Sequence, residues 1–222
     1  MVDFKSIKKI TQPEKFVSDY LFENRDGKYQ KFASSLLPNV DNVLGVRLPI
    51  LRQIAKLLYK QCNTDYLKYH PKYMEEVLIQ GFIIGLMKEP VELVIEQIKN
   101  YIPQITNWSI CDSFISSLKI IKQHKELFWT FIQPYLLSDK EFEIRFGLVV
   151  LLNYYIEEDY LSKIFDLLET ITLKDYYAQM GAAWLISICY KKFPEHTTEY
   201  LKRTQIDEFT HKKALQKIKE LS

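Results

Sequence analysis

With 222 residues, 47% of them apolar and 26% charged, the chain can build one sizeable core or a continuous array of small units that share one. Only six glycines and few hairpin signals argue against an all-β chain. A net charge of +2 and a pI near 8.2 fall below the range of a strongly basic nucleic-acid module, so any basic surface has to be local.

Cys62, Cys111 and Cys189 are odd in number and far apart, which suggests neither a disulfide framework nor a CxxC metal site and fits a reducing cytoplasm. The opening residues MVDFKSIKK hold no apolar run of signal-peptide length, and no uninterrupted apolar window reaches membrane-spanning length. A cytoplasmic protein with no membrane partner and no metal is expected.

In chain order, Phe4, Ile7 and Ile10 alternate with Lys5, Lys8 and Lys9, the pattern of a short amphipathic helix. Pro13 stands at the start of the next helix, whose apolar face is Phe16, Val17, Tyr20 and Leu21. Asn24 to Gly27 breaks it, and a helix from about Lys28 to Leu37 ends at the loop containing Pro38, Asn39, Asp41 and Asn42. LGVRLP, Leu44 to Pro49, turns at Gly45 and feeds a helix with Leu51, Ile54, Ala55 and Leu58 inward and Arg52, Lys56 and Lys60 outward. Further helices are expected over Tyr66 to Tyr69, Pro71 to Met87, Pro90 to Tyr101, Asn107 to Leu118 and Lys125 to Leu137. Five more cover Lys140 to Tyr155, Tyr160 to Thr170, Lys174 to Lys191, Pro194 to Lys202 and Asp207 to Leu221. Pro71, Pro90 and Pro194 occupy first-turn positions, and Ser138, Asp139 and Asp207 are cap candidates. No strand is expected.

Helix pairs joined by tight turns read as an all-α solenoid of helical repeats. The expected organisation is a single domain over residues 1–222, with N-terminal helices and a loop over 1–43 and a repeat array over 44–222. HEAT-type units run to roughly 40 residues. Trp108, Arg145 and Trp184 are 37 and then 39 residues apart, so they should line one surface on successive inner helices, with Asp112 in the same row.

TNWSICDSFISSL, Thr106 to Leu118, places Trp108 and Asp112 four residues apart on one helix face, an aromatic plate beside a carboxylate. The alternative is a core Trp and a solvated Asp. In FEIRFGLVVL, Phe142 to Leu151, Arg145 is a guanidinium inside an apolar run, so it must meet solvent or an anion; pairing with Asp112 and binding a phosphate both fit. YYAQMGAAWLISICY, Tyr176 to Tyr190, sets Gln179, Gly181, Ala182 and Ala183 ahead of Trp184. Those small residues either admit a ligand close to the backbone or permit tight helix packing. Arg47, Arg52, Lys56 and Lys60 form one basic group, and a second lies at the C-terminus around Lys202, Arg203, Lys212 and Lys213. Either suits phosphates or a solvated face.

The blocks LGVRLPILRQIAK at 44–56, NWSICD at 107–112, EIR at 143–145 and YYAQMGAAW at 176–184 resemble, in order and spacing, the motifs of the AlkD-like DNA glycosylases. The resemblance implies a HEAT-like repeat fold with a concave face for double-stranded DNA carrying alkylated bases, no cofactor, and a monomer. It also implies excision of cationic N-alkylpurines, such as 3-methyladenine and 7-methylguanine, by hydrolysis of the N-glycosidic bond. Asp112 would be the catalytic carboxylate, Trp108 and Trp184 would pack against the lesion's deoxyribose and backbone, and Arg145 would contact phosphate. Arg47, Arg52, Lys56, Tyr176, Tyr177 and Gln179 would bind DNA. The sequence departs from the pattern at Arg47, at the extra PNVDNV segment, at Asn107 beside Trp108, and at Tyr176 and Tyr177, where phenylalanines are common. A non-catalytic HEAT-like module that binds DNA or protein is the competing expectation.

Overall fold

The computed structural model describes residues 9–221, and among these the secondary structure is entirely helical. The helix expected over Phe4 and Ile7 lies mostly outside the described residues. Among the described residues twelve α-helices follow in order. They are α1 (Pro13–Glu23), α2 (Gly27–Ser35), α3 (Leu48–Cys62), α4 (Met74–Ile84), α5 (Val91–Tyr101) and α6 (Trp108–Ser117), then α7 (Lys125–Leu136), α8 (Glu141–Tyr154), α9 (Glu158–Thr170), α10 (Tyr176–Lys192), α11 (Pro194–Arg203) and α12 (Glu208–Leu221). Three short 3-10 turns, Asp65–Lys68, Ile102–Gln104 and Lys119–Gln123, join some of them. The chain divides into two compact units at residues 119 and 120.

In the first unit the order of the helices follows from which faces must be hidden. All eleven residues of α4 are buried, including Glu75, Glu76 and Gln80, whose side chains bond backbone groups. α3 covers one side of it with Leu51, Ile54, Ala55 and Leu58, the four positions the periodicity selects. The two run parallel: Glu75 meets the backbone just before α3, Arg52 lies over the Phe82 ring, and Tyr59 bonds Glu89. α6 flanks the other side, also parallel. Asn107 reaches the Met74 sulfur, Phe114 lies against Gly81, and Ser117 lies against Gly85. A Cβ on Gly81 would stand 2.6 Å from the Tyr101 hydroxyl oxygen, so glycine there is what lets the buried α5 tyrosine cross. The N-termini of α3, α4 and α6 therefore share one edge of the unit.

The second unit repeats the device. α8, mostly buried from Ile144 onward, packs on α10 with Glu141 against Tyr177 and Arg145 against Gly181, and α10 packs on α12 with Tyr176 against Phe209. These three are parallel, with their N-termini together. α7 runs antiparallel to α8, Leu136 meeting Gly147 and Tyr135 meeting Phe146. Trp129 on α7 closes an aromatic cluster with Tyr155 and Tyr160, 5.3 and 5.0 Å between ring centroids.

Several boundaries differ from the sequence-based expectation. α4 begins at Met74, not Pro71, because the Glu76 carboxylate accepts the Lys72 and Tyr73 N–H groups and starts the helix there. The helix expected over Tyr66 to Tyr69 is the 3-10 turn Asp65–Lys68, within an eleven-residue connection, 63–73. The cap of α8 is Lys140, while Ser138 accepts the Lys140 N–H two residues on and donates to Glu143. Asp207 does hold the start of α12, accepting from both the N–H and the hydroxyl of Thr210. Gly45 takes φ +89°, the left-handed turn its sequence position requires.

Candidate nucleic-acid interface

α6 starts where expected because the Asn107 side chain accepts the Ile110 N–H at 3.0 Å. With Ile110, Cys111, Phe114 and Ile115 turned into the core, Trp108 and Asp112 share the remaining face one turn apart, both half-buried. The indole neither fills the core nor hangs free. Its Nε1–H donates to the Leu36 carbonyl at 3.1 Å, which fixes the plane of the ring.

Trp108 also borders a largely apolar cavity of about 160 Å3 whose walls include Phe32, Leu36, Val46, Met74 and Leu78. Beyond it, Glu75 is buried, and its carboxylate accepts the N–H groups of Leu44, Gly45 and Val46 at 2.7 to 3.2 Å. Three charge-assisted bonds offset the desolvation of that carboxylate and rigidify the LGV turn. Glu75 escaped the sequence reading because it adjoins Glu76 at the start of an apolar run, where a carboxylate reads as an ordinary first-turn acid.

In the second unit Arg145 is only 6% exposed, and its Nη1 donates to the Tyr177 carbonyl at 2.7 Å in the first turn of α10. A Cβ built on Gly181 would meet the Arg145 Nη1 and the Leu148 side chain at 3.6 Å, ordinary van der Waals contact, so alanine would also fit beside the guanidinium there. Trp184 stands one turn beyond Gly181 and is half-buried. At the same edge Phe142 and Tyr177 stack with centroids 5.5 Å apart, Tyr176 meets Tyr177 edge-on at 5.2 Å, and Tyr176 meets Phe209 at 5.9 Å. Tyr176 is 54% exposed. Gln179 donates to Asp207 at 2.9 Å.

The basic candidates on α3 separate into three kinds. Lys56 is exposed. Arg52, expected outward, is half-buried: it stacks over Phe82 at 4.1 Å and donates to Ser116 at 3.2 Å, and burial draws its guanidinium below its ordinary value. A stem long enough to lie along α4 and α6 covers apolar surface there instead of projecting from it. Arg47 is exposed, but its guanidinium pairs with Asp26 at 3.2 Å and lies 4.4 Å above the Tyr29 ring.

The helix ends differ in charge. α4, α5, α7, α8, α9, α11 and α12 each carry a carboxylate in the first turn. α2, α3, α6 and α10 carry none, although at α10 the N-cap is Asp175 and the Glu141 carboxylate accepts the Tyr177 N–H. Among the described residues no group of three or more His, Cys, Asp or Glu side chains could hold a metal ion, and no helix is long and apolar enough to cross a membrane. The three cysteines are free thiols.

Parallel helices in each unit, with Trp108, Asp112 and Arg145 in the first two turns of α6 and α8 and Trp184 midway along α10, define a helical-repeat protein of the kind the sequence motifs imply. The chain belongs to the DNA alkylation repair enzyme family, whose model matches residues 17–218. Its function class is therefore repair of alkylated DNA. No curated protein matches the chain.

Proposed function

We propose that the protein is a monofunctional glycosylase that releases cationic N-alkylpurines, 3-methyladenine and 7-methylguanine among them, from double-stranded DNA. The observation that carries this reading is the α6 face, where an oriented indole and a carboxylate stand one turn apart in a member of an alkylation-repair family.

Alkylation at N3 or N7 leaves the purine positively charged, so it departs as a neutral base that takes up the electron pair of the broken N-glycosidic bond. Little acid assistance is needed. The difficulty moves to the sugar, which becomes oxocarbenium-like at C1′. A fixed carboxylate stabilises that cation, and Asp112 is assigned this role together with orienting the water that adds at C1′. The water's proton leaves to solvent or to the carboxylate, and an abasic site remains.

Trp108 and Trp184 are assigned to the deoxyribose and backbone of the lesion, where an indole face adds about 0.5 to 2 kcal/mol of cation–π attraction to a charged nucleotide. Arg145 donates to the Tyr177 carbonyl in the first turn of α10 and is assigned to a phosphate at that edge, where the Glu141 carboxylate already accepts the Tyr177 N–H. Tyr176, Tyr177, Gln179 and Lys56 supply further DNA contacts, with Arg52 contributing mainly through its place between α4 and α6. No metal or organic cofactor takes part. Selectivity comes from the lesion's charge and lability.

The reading is tested by incubating methylated duplex DNA with the protein and separating free bases by chromatography. Release of 7-methylguanine above spontaneous depurination is expected. Tight binding with no release would instead mark a non-catalytic DNA-binding module.

A further inference from the structure

α2 is an unusual element of the first unit, because none of its residues is buried and the apolar cavity of about 160 Å3 lies beside it. Phe32 is 60% exposed and Leu36 47%. A helix that buries so little is placed by what grips its two ends. At the N-terminal end the Asp26 Oδ1 accepts the Lys28 and Tyr29 N–H groups, the Asp26 N–H donates to the Gly45 carbonyl at 3.1 Å, and Gln30 donates to the Val43 carbonyl at 2.6 Å. Arg47 closes this grip from the α3 side, pairing with the second Asp26 oxygen and lying over Tyr29. At the C-terminal end the Leu36 carbonyl accepts the Trp108 indole N–H. The nine residues between span about 13 Å at 1.5 Å each.

We propose that Arg47 is a positioning residue for Trp108: by clamping Asp26 and Tyr29 it sets where α2 lies, and so where the Leu36 carbonyl holds the indole. This rests on the assignment of Trp108 to the DNA-facing site. It also gives the departure at Arg47 a purpose. A guanidinium can pair with a carboxylate and stack on a ring at once, whereas an amide or an ammonium cannot do both. Arg47 then serves the site through α2 and not by contacting a phosphate.

The test uses the indole N–H as the reporter. Three tryptophans give three indole N–H resonances, and Trp108→Phe identifies the one that matters. Arg47→Ala, Arg47→Lys and Asp26→Ala should each accelerate hydrogen exchange at the Trp108 indole about tenfold or more, with circular dichroism unchanged. All three should also weaken binding to methylated duplex in the same direction. If Arg47 contacts a phosphate instead, Arg47→Lys retains affinity, Arg47→Ala lowers the slope of log affinity against log salt by about one, and Asp26→Ala tightens binding by freeing the guanidinium. That pattern, with Trp108 exchange unchanged, overturns the proposal. Should the wild-type protein bind no DNA, the glycosylase reading fails, while the exchange measurement still decides whether Arg47 positions Trp108.

Discussion

Glu75 accepts the Gly45 N–H at 2.7 Å, thirty residues away in sequence and across the gap between α4 and the turn that launches α3. The neighbouring N–H groups of Leu44 and Val46 converge on the same carboxylate. Replacing Glu75 with Gln removes the charge and turns an NH2 group toward backbone donors. We expect Glu75→Gln to cost about 2 to 4 kcal/mol in urea unfolding, as loss of a charged acceptor inside a buried network does. A loss below 0.5 kcal/mol, on the order of an exposed substitution, would mean that the turn does not depend on this clamp.

Close packing at Gly81 makes a second prediction. A methyl group there meets the Tyr101 hydroxyl oxygen at 2.6 Å, and Tyr101 is fully enclosed, donating to the Val77 carbonyl at 3.0 Å. Gly81→Ala should destabilise by about 1 to 3 kcal/mol through overpacking. Removing the hydroxyl in the double variant Gly81→Ala, Tyr101→Phe should recover part of that loss. A double-mutant cycle with no coupling would place the strain elsewhere.

How much of this was legible in the chain depends on the kind of signal. Leu51, Ile54, Ala55 and Leu58 follow from period alone, and Gly45 from the local chemistry of a turn. α4 is buried all round, its Glu75, Glu76 and Gln80 included, so periodicity finds no solvent face and places its start at Pro71. The placement of Arg52 failed because a long side chain can bend back over apolar neighbours. The Leu36 carbonyl that holds Trp108 could not have been found at all, since any residue carries that group and the partner is 72 positions away. Sequence assigns side chains to faces; it does not say which backbone atoms meet them.

Acid should loosen α2 as Asp26 takes up a proton. The Asp26 carboxyl is held below its ordinary value of 3.8, chiefly by the Tyr29 N–H, with the Arg47 and Lys28 contacts helping against partial desolvation. A carboxyl lowered in the folded state contributes stability that is present above the unfolded value and is lost as pH falls through the folded one. The amide resonances of Lys28 and Tyr29 should therefore hold steady from neutral pH to about pH 4 and then titrate with a midpoint below 3.8. A midpoint above 3.8 would contradict the cap and the Arg47 pairing together.

Tyr176 separates a DNA contact from a packing residue. It is more than half exposed, meets Tyr177 edge-on and lies tilted to Phe209. We expect Tyr176→Ala to leave stability within about 0.5 kcal/mol of wild type. Its affinity for duplex DNA should fall about fivefold or more, since base–aromatic stacking contributes about 1 to 3 kcal/mol. Lost stability with unchanged affinity would assign Tyr176 to the packing of α10 on α12.

The account stands or falls on the carboxylate of α6. Under single-turnover conditions with duplex DNA containing 7-methylguanine, Asp112→Asn should bind the duplex about as well as wild type and release the base about 10²- to 10³-fold more slowly, the loss expected when one preorganised electrostatic stabiliser of the transition state is removed. Release at the wild-type rate by that variant would contradict the role given to Asp112 and, with it, the mechanism proposed for this chain.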